Sequence, residues 1–170
     1  MFERKVITTR NEDYAFFLQC TCGSEILEFY GYRETEKEDE IIGIRYFGND
    51  STNNLNFILN RELLDKLING FNILLINSSL PNDVENSEQK LTSFRLEGDS
   101  VNLEYIQVDL EKELNTFHIS KYIEVPKQNK PKLLWHVSLY KICAEDFINE
   151  LVNLQKSIVG DKQENETENN

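Results

Sequence analysis

The chain of 170 residues has little cysteine, proline and glycine, with three, three and seven residues. Its cysteines, Cys20, Cys22 and Cys143, are odd in number and lack the spacing of a disulfide framework, so we expect reduced thiols. No apolar segment of the signal-peptide type follows Met1–Lys5, and no apolar run has the length of a membrane span. These absences predict a cytoplasmic protein with no membrane partner.

Basic residues are also scarce, because 18 Lys and Arg oppose 30 Asp and Glu, for a formal net charge of −12. Such a charge disfavours non-specific adhesion to DNA or to anionic membranes. The sign reverses within residues 118–141, where five lysines accompany a single acid, Glu124. That segment is where cationic contacts to a ligand are expected.

Motifs of catalysis and of cofactor binding are absent as well. There is no GxGxxG or GxxxxGK[ST] loop for nucleotide phosphates. Cys20-Thr21-Cys22-Gly23 supplies too few ligands for zinc, and free thiols at a strand end are the alternative. A nucleophilic cysteine would need a base such as His118 or His136, and no local signature supports one. The sequence therefore predicts a protein that is not an enzyme and has no metal or other cofactor.

What the sequence does contain is a repeat. Ser24–Tyr30 (SEILEFY) is echoed by Ser100–Ile106 (SVNLEYI), and each copy lies in a series of strand-like segments followed by one amphipathic helix. The alternation predicts strands at 15–20, 24–32, 41–47 and 55–59 in the first half, and at 92–97, 101–108, 116–125 and 132–141 in the second. Asn60 is a candidate N-cap for the first helix, and the second is expected from residue 144 to 159.

These elements divide the chain into a first ββββα unit at 1–76, a linker at 77–90, a second unit at 91–160 and a disordered acidic tail at 161–170. Asn69-Gly70 is a candidate C-terminal cap of the first helix, which leaves residues 71–76 as either a further strand or a buried extension. A unit of about 70 residues is marginal alone, so the units should pack together. The predicted fold class is α+β, a pseudo-dimeric tandem repeat whose antiparallel sheets pack on two helices.

Period-two alternation also separates core residues from outward-facing ones. Leu133, Trp135, Val137 and Leu139 form the expected core face of the last strand. The outward set is aromatic, imidazole and cationic: Tyr30, Tyr32, Arg45 and Phe47 in the first unit, and His118, Tyr122, Lys132, His136 and Tyr140 in the second. Lys121 is added to the candidate site as a cation of the basic segment 118–141. Aromatic faces stack on bases and cations follow phosphates, which indicates a nucleic-acid site. The alternative is that Tyr and His are simply good strand formers on a wet surface.

The repeated order of four strands and a helix, over roughly residues 14–158, resembles the Whirly and transcriptional positive-cofactor type of single-stranded-DNA-binding fold. In that family two such units pair their sheets and helices, and the sheets bind the strand. The resemblance implies that the outward aromatic and cationic residues have this role here. The chain departs from the family in charge, since its first half has few cations.

The leading hypothesis is therefore a non-enzymatic protein that binds single-stranded nucleic acid. The alternative is an acidic module, an inhibitor or an adaptor, that docks on a basic protein partner, because a net charge of −12 would steer such a partner. The sequence leaves open whether the nucleic acid is DNA or RNA and whether the chain forms a homo-oligomer.

Overall fold

The computed structural model describes residues 2–5, 15–20, 24–31, 40–48, 57–81, 91–98 and 103–168. The strands in these ranges are β1 (Phe2–Lys5), β2 (Ala15–Cys20), β3 (Ile26–Gly31), β4 (Glu40–Phe47), β5 (Phe57–Asn60), β6 (Ser93–Glu97), β7 (Glu104–Glu111), β8 (Thr116–Ile123) and β9 (Lys132–Tyr140). The helices are α1 (Arg61–Ser78) and α2 (Lys141–Glu168), and a 3₁₀ turn covers Lys112–Leu114.

The strands form two antiparallel sheets in sequential order: β1-β2-β3-β4-β5 is the first sheet and β6-β7-β8-β9 the second. Strands β2–β5 precede α1 and strands β6–β9 precede α2, which confirms the tandem ββββα prediction. β1 is an additional edge strand that pairs with β2. Alternation did not reveal β1, because its sequence Phe-Glu-Arg-Lys is mostly charged.

Both helices pack on one face of each sheet, which we call the inner face. α1 contacts β4 and β5 of the first sheet and β6 and β7 of the second, and α2 contacts β1, β3, β8 and β9. The ring centroid of Phe147 on α2 lies 5.1 Å from that of Phe29 and 5.3 Å from that of Phe71 on α1. Phe71 in turn lies 5.0 Å from Phe117 of the second sheet. The two units therefore share one hydrophobic core.

Helix α1 begins as predicted, because the Asn60 side chain accepts a hydrogen bond of 2.8 Å from a backbone N–H of the first turn. It does not end at Gly70 but continues to Ser78, so residues 71–76 are helical and the helix enters the expected linker. Phe71 and Leu74 of this extension are buried, whereas Ile73 and Ile76 are exposed. Ring atoms of Phe94 lie 2.9 Å from the place where a Cβ of residue 70 would be. Close packing against the second sheet, and not helix termination, accounts for this glycine.

Helix α2 is longer than predicted at both ends and continues past Gly160 to Glu168. The expectation of a disordered tail is therefore wrong for residues 161–168, whose backbone is helical. Lys, Gln and Glu are good helix formers, and a single glycine costs only about 1 kcal/mol in a helix. Low hydrophobicity excludes a buried tail but does not exclude a helical one. No helix in the described ranges is long and apolar enough to cross a membrane.

The echo of seven residues falls on corresponding strands, β3 and β7, but with opposite orientation. Phe29 faces the core and is 1% exposed, whereas Tyr105 at the matching position faces away from the helices. Leu27 is buried, whereas its counterpart Leu103 precedes β7 with a φ of 52°. A shift of one residue reverses every face of a strand. The structure therefore repeats the order of elements and not the facing of the echoed residues.

Candidate nucleic-acid interface

The face of each sheet opposite the helices, the outer face, carries most of the side chains that alternation placed outward. On the first sheet, the guanidinium carbon of Arg45 is 4.7 Å from the ring centre of Tyr30 and 5.8 Å from that of Phe47. Arg45 also lies 3.7 Å from the carboxylate of Glu28, whose pKa is raised by burial, an effect that Arg45 opposes. Three of the four predicted residues are thus neighbours, and Tyr32 lies outside the described residues.

Tyr30 lies flat on the sheet because its partner on β4 is a glycine. Tyr30 and Gly43 are opposite each other in the register of β3 and β4. A Cβ on Gly43 would overlap the Tyr30 ring. Without a side chain at this position, the ring covers the backbone and meets Arg45 on the same face.

On the outer face of the second sheet, Tyr122 belongs to a second stack. Its ring lies 5.3 Å from that of Tyr105, the residue opposite it on β7, and the rings are inclined by 20°. Arg95 of β6 lies 4.0 Å over the Tyr105 ring. Tyr105 is 5% exposed, and burial raises its pKa while Arg95 opposes the rise. Tyr122 therefore offers the more accessible ring, and Tyr105 and Arg95, which the sequence reasoning missed, support it.

The two histidines are joined by a hydrogen-bonded chain that we call the imidazole chain: Ser120, His136, Ser138, His118 and Glu111. The rings of His118 and His136 are stacked with centroids 5.1 Å apart. His136 Nδ1 lies 2.8 Å from Ser120 Oγ, and its Nε2 lies 3.2 Å from Ser138 Oγ. Ser138 Oγ is 2.7 Å from His118 Nδ1, and His118 Nε2 is 2.8 Å from Glu111 Oε2.

Alternation places Ser120 and Ser138 outward, but the sequence reasoning gave them no role, although the sequence contains a signal for one. His118-Ile119-Ser120 on β8 and His136-Val137-Ser138 on β9 are the same His-apolar-Ser triplet. In the antiparallel pair, His118 lies opposite Ser138 and Ser120 lies opposite His136. Each imidazole therefore meets a hydroxyl across the strands.

The charge near the imidazole chain is negative at neutral pH. Burial lowers the pKa of His136 and His118 lowers it further, whereas Asp109 and Glu25 raise it. An unperturbed histidine has a pKa of about 6.5, so the lowered value leaves His136 uncharged at pH 7. The carboxylates of Asp109 and Glu111 face the rings from β7. This part of the outer face is therefore not the basic surface that the sequence predicted.

A β-bulge changes the face of the residues at the start of β9. The pairing with β8 shifts between Lys121 and Tyr122, so that Leu134 is an extra residue. Leu133, which we expected in the core, lies beside Tyr122 and is 49% exposed. Lys132, which we expected on the outer face, has the opposite orientation and is exposed at the end of the strand.

Lys121 was also expected to contact the ligand, as a cation of the basic segment, but it is fully buried on the inner face. Its Nζ lies 3.5 Å from the carboxylate of Glu104 and 5.7 Å from the ring centre of Phe57 on the first sheet. Burial lowers the pKa of Lys121, and Glu104 opposes this effect. Strand alternation explains the position, since residue 121 has the same parity as the buried Phe117. Lys121 is therefore a core residue that no ligand of the surface can contact.

Three of the four remaining lysines of the basic segment lie on the connection between β8 and β9, residues 124–131, and at the start of β9. The fourth, Lys141, begins α2 and donates a hydrogen bond of 2.6 Å to Ser79 Oγ. Lys127, Lys130 and Lys132 are all exposed. Lys127 has a φ of 73°, a left-handed conformation typical of turns. We call these three lysines the basic loop. Lys127 and Lys130 follow the end of β8 at Ile123, and Lys132 pairs with Ile123 at the edge of the sheet that carries Tyr122.

The cysteines do not assemble a site within the described residues. Cys20 is buried and Cys143 is half-buried. The backbone N–H of Glu25 donates a hydrogen bond of 3.3 Å to Cys20 Sγ. Cys22 lies outside the described residues. In the described ranges, no group of three or more His, Cys, Asp or Glu side chains is arranged to hold a metal ion.

No protein-family model matches this sequence, and no curated protein matches it. Among solved structures, the fold is similar to that in crystal structures of MRP1/MRP2 of Trypanosoma bruciei. The TM-score is 0.45 at 8% sequence identity, and the match covers 80% of this chain and 76% of the other. The similarity is distant and concerns the fold alone.

Proposed function

We propose that this chain is a non-enzymatic protein that binds single-stranded nucleic acid on the outer faces of its two sheets. The observation that carries the proposal is the combination of aromatic rings with arginine on both faces, Arg45 with Tyr30 and Arg95 with Tyr105. Bases stack on aromatic rings and on guanidinium planes with little regard to sequence. Among the described elements, both helices pack on the inner faces, so these rings face away from the core.

The outer face of the second sheet carries the longer row of side chains that could contact a nucleic acid. Tyr122 lies near one end of β8, and Tyr140 lies opposite Thr116 at the other end, where it is 50% exposed. Six residues of strand separate these ends by about 20 Å, which accommodates several nucleotides. His118 and His136 lie between the two tyrosines, and the basic loop lies beyond Tyr122. A nucleic-acid strand bound along β8 and β9 would contact the tyrosine and histidine rings over most of its length and the lysines of the basic loop at one end.

The resemblance to the Whirly and positive-cofactor type supports the same proposal. Two ββββα units with their helices on the inner faces are the arrangement that this resemblance implies. We therefore propose a Whirly-like mode of binding, in which the sheets contact the nucleic acid. The residues assigned to it are Tyr30, Arg45, Phe47, His118, Tyr122, His136 and Tyr140.

A second candidate function is an acidic module that docks on a basic protein. The observation that favours it is the net charge of −12, together with the carboxylates of Glu28, Asp109 and Glu111 on the outer faces. Complementary potential steers such partners together. This function predicts that a lysine-rich peptide binds and that an oligonucleotide does not.

The test is the affinity for a labelled oligothymidine or oligouridine of about 20 nucleotides across a salt series. We expect binding at low salt that weakens linearly, on logarithmic scales, as salt rises. Tyr122→Ala combined with Tyr140→Ala should reduce the affinity at least about tenfold, because each stacked base contributes roughly 1–3 kcal/mol. Ile76→Ala, at a 63% exposed position of α1, is the control and should leave the affinity unchanged.

Two outcomes contradict the proposal. Absence of oligonucleotide binding at low salt removes the nucleic-acid function, and binding of the lysine-rich peptide under the same conditions favours the acidic module. An unchanged affinity in a folded double tyrosine variant moves the site away from the outer face of the second sheet. Circular dichroism of each variant shows whether the fold is retained.

A further inference from the structure

We propose that the imidazole chain is a phosphodiester-binding site that is closed while both histidines are neutral and opens when they take up protons. The proposal rests on the proposed function, because it specifies where and under which condition the outer face contacts a phosphate. It is carried by the hydrogen-bond geometry of Ser120, His136, Ser138, His118 and Glu111.

When both imidazoles are neutral, the hydrogen bonds of the imidazole chain allow only one assignment of donors and acceptors. The Glu111 carboxylate can only accept, so His118 Nε2–H donates to it and His118 Nδ1 must accept. Ser138 therefore donates its O–H to His118 and accepts the Nε2–H of His136. His136 Nδ1 in turn accepts the O–H of Ser120. Every hydroxyl and imidazole proton is used inside the chain, and none remains for a phosphate oxygen.

A proton on His118 Nδ1 reverses the direction of the hydrogen bond between His118 and Ser138. The ring now donates to Ser138 Oγ, which still accepts from His136, and the hydroxyl proton of Ser138 becomes free to donate outward. Ser138 is partly exposed, so this proton is available to a ligand on the outer face. A proton on His136 Nδ1 likewise frees the hydroxyl of Ser120, but Ser120 is 2% exposed and does not reach the surface. Ser138 is therefore the hydroxyl that contacts the phosphate.

The surrounding charge changes in the same direction. The charged groups that face the rings are Asp109 and Glu111 on β7 and Glu25 beside β3. With neutral imidazoles these carboxylates repel a phosphate. Each bound proton offsets one of them, so repulsion is replaced by a charge-assisted contact. Burial and the neighbouring His118 lower the pKa of His136, so His136 takes up its proton below the usual histidine pKa.

The experiment compares the affinity of the full chain for oligothymidine at about pH 8 and about pH 5.5, a range that brackets the usual histidine pKa, at constant ionic strength. The sequence has two histidines, so His118→Gln with His136→Gln removes every imidazole while it keeps polar side chains on the sheet. We expect the unmodified protein to bind about tenfold tighter at the lower pH, which corresponds to a rise of about one unit in an imidazole titration midpoint on binding. Ser138→Ala should lose most of the difference in affinity between about pH 8 and about pH 5.5.

Glu28 on the first sheet needs its own control, because burial raises its pKa and it also takes up a proton as the pH falls. Glu28→Gln should keep the pH-dependent gain. Imidazole proton NMR of the unmodified protein supplies a readout that requires no variant, since linkage demands that the titration midpoints rise when the oligonucleotide binds.

The outcomes separate this proposal from the proposed function. Equal affinity at the two pH values, midpoints that do not move, or a gain that survives in Ser138→Ala or in the double histidine variant overturns the phosphodiester site and leaves nucleic-acid binding intact. Absence of oligonucleotide binding at both pH values overturns both.

Discussion

The Nζ of Lys121 lies 3.5 Å from the carboxylate of Glu104, beneath the second sheet and against Phe57 of the first. The lysine is fully buried, whereas the Glu104 side chain is 22% exposed. Desolvation of the ammonium is therefore only partly offset by its partner, in agreement with the lowered pKa of Lys121. This ion pair lies at the junction of the two units, and Lys121 is the one charged residue among the described residues that are buried.

Replacement of both partners should be tolerated. Lys121→Met with Glu104→Gln removes the charges and retains the volume, so we expect the free energy of unfolding to be unchanged or to rise by about 1 kcal/mol. Lys121→Ala alone should lower it by about 2–4 kcal/mol, because it leaves a cavity and a carboxylate without its cation. Denaturant unfolding at neutral pH measures both. A large loss in the double variant would show that the ion pair is needed to position the units.

The lowered pKa of Lys121 should also make the stability of the protein depend on pH. The pKa of Lys121 is lowered in the fold, so the unfolded chain binds its proton more tightly than the folded chain. Stability relative to Lys121→Met should therefore increase as the pH rises through the lowered pKa towards the ordinary lysine value of about 10.4. Denaturant midpoints of the two proteins from neutral to alkaline pH check this, and a constant difference between them contradicts it.

Two substitutions of Trp135 should separate the contribution of its buried ring to stability from that of its N–H group. The indole stacks on Tyr46 at a centroid distance of 5.6 Å, and its N–H has no hydrogen-bond partner among the described residues. We expect Trp135→Ala to lower the free energy of unfolding by about 3–5 kcal/mol. Trp135→Phe should cost much less, because the loss of contact area is offset by removal of an unsatisfied donor. Equal losses for the two variants, measured by denaturant unfolding, would argue against this balance.

Local signals in the sequence were sufficient for most of the fold. Alternation located the eight strands of the two units, and the preference of asparagine for helix N-caps located the start of α1 at Asn60. The inward facing of Trp135 was also correct. Leu133 and Lys132 were assigned to the wrong faces because the bulge at Leu134 arises from the pairing of two strands, which a single strand does not record.

The contacts of the candidate site depend on the pairing of strands even more than the facing of Leu133 and Lys132 does. Tyr122 and the histidines could be placed outward from one strand at a time, but the contacts that define their chemistry cross between strands. Ser138 meets His118 only because of the register of β8 and β9, and Arg95 reaches Tyr105 only because β6 lies beside β7. Lys121 shows the reverse error, since a basic segment of sequence was treated as a basic surface although one of its lysines has core parity.

Gly43 provides a test of the first sheet. Gly43→Ala places a Cβ where the Tyr30 ring lies, so the ring must rotate away from the sheet and from Arg45. We expect the affinity for oligothymidine to fall at least about fivefold, the lower range for one stacked base, while the protein stays folded. Tyr30→Ala should have the same effect, and the double variant should show no further loss because both changes remove one interaction. Additive losses would mean that Gly43 and Tyr30 act separately.

Removal of lysines from the basic loop should change the salt dependence of oligonucleotide affinity, whereas removal of Tyr122 should not. Lys127→Gln with Lys130→Gln removes two exposed cations beyond the end of β8, so the slope of log affinity against log salt should become shallower by about 0.7 for each lysine that contacts a phosphate. Tyr122→Ala should lower the affinity at every salt concentration and leave the slope unchanged, because stacking releases no counterions. Lys66→Gln with Lys156→Gln changes the net charge equally but lies on α1 and α2, away from the outer faces. If both lysine pairs flatten the slope to the same extent, the loop acts through the field of the whole protein and not through phosphate contacts.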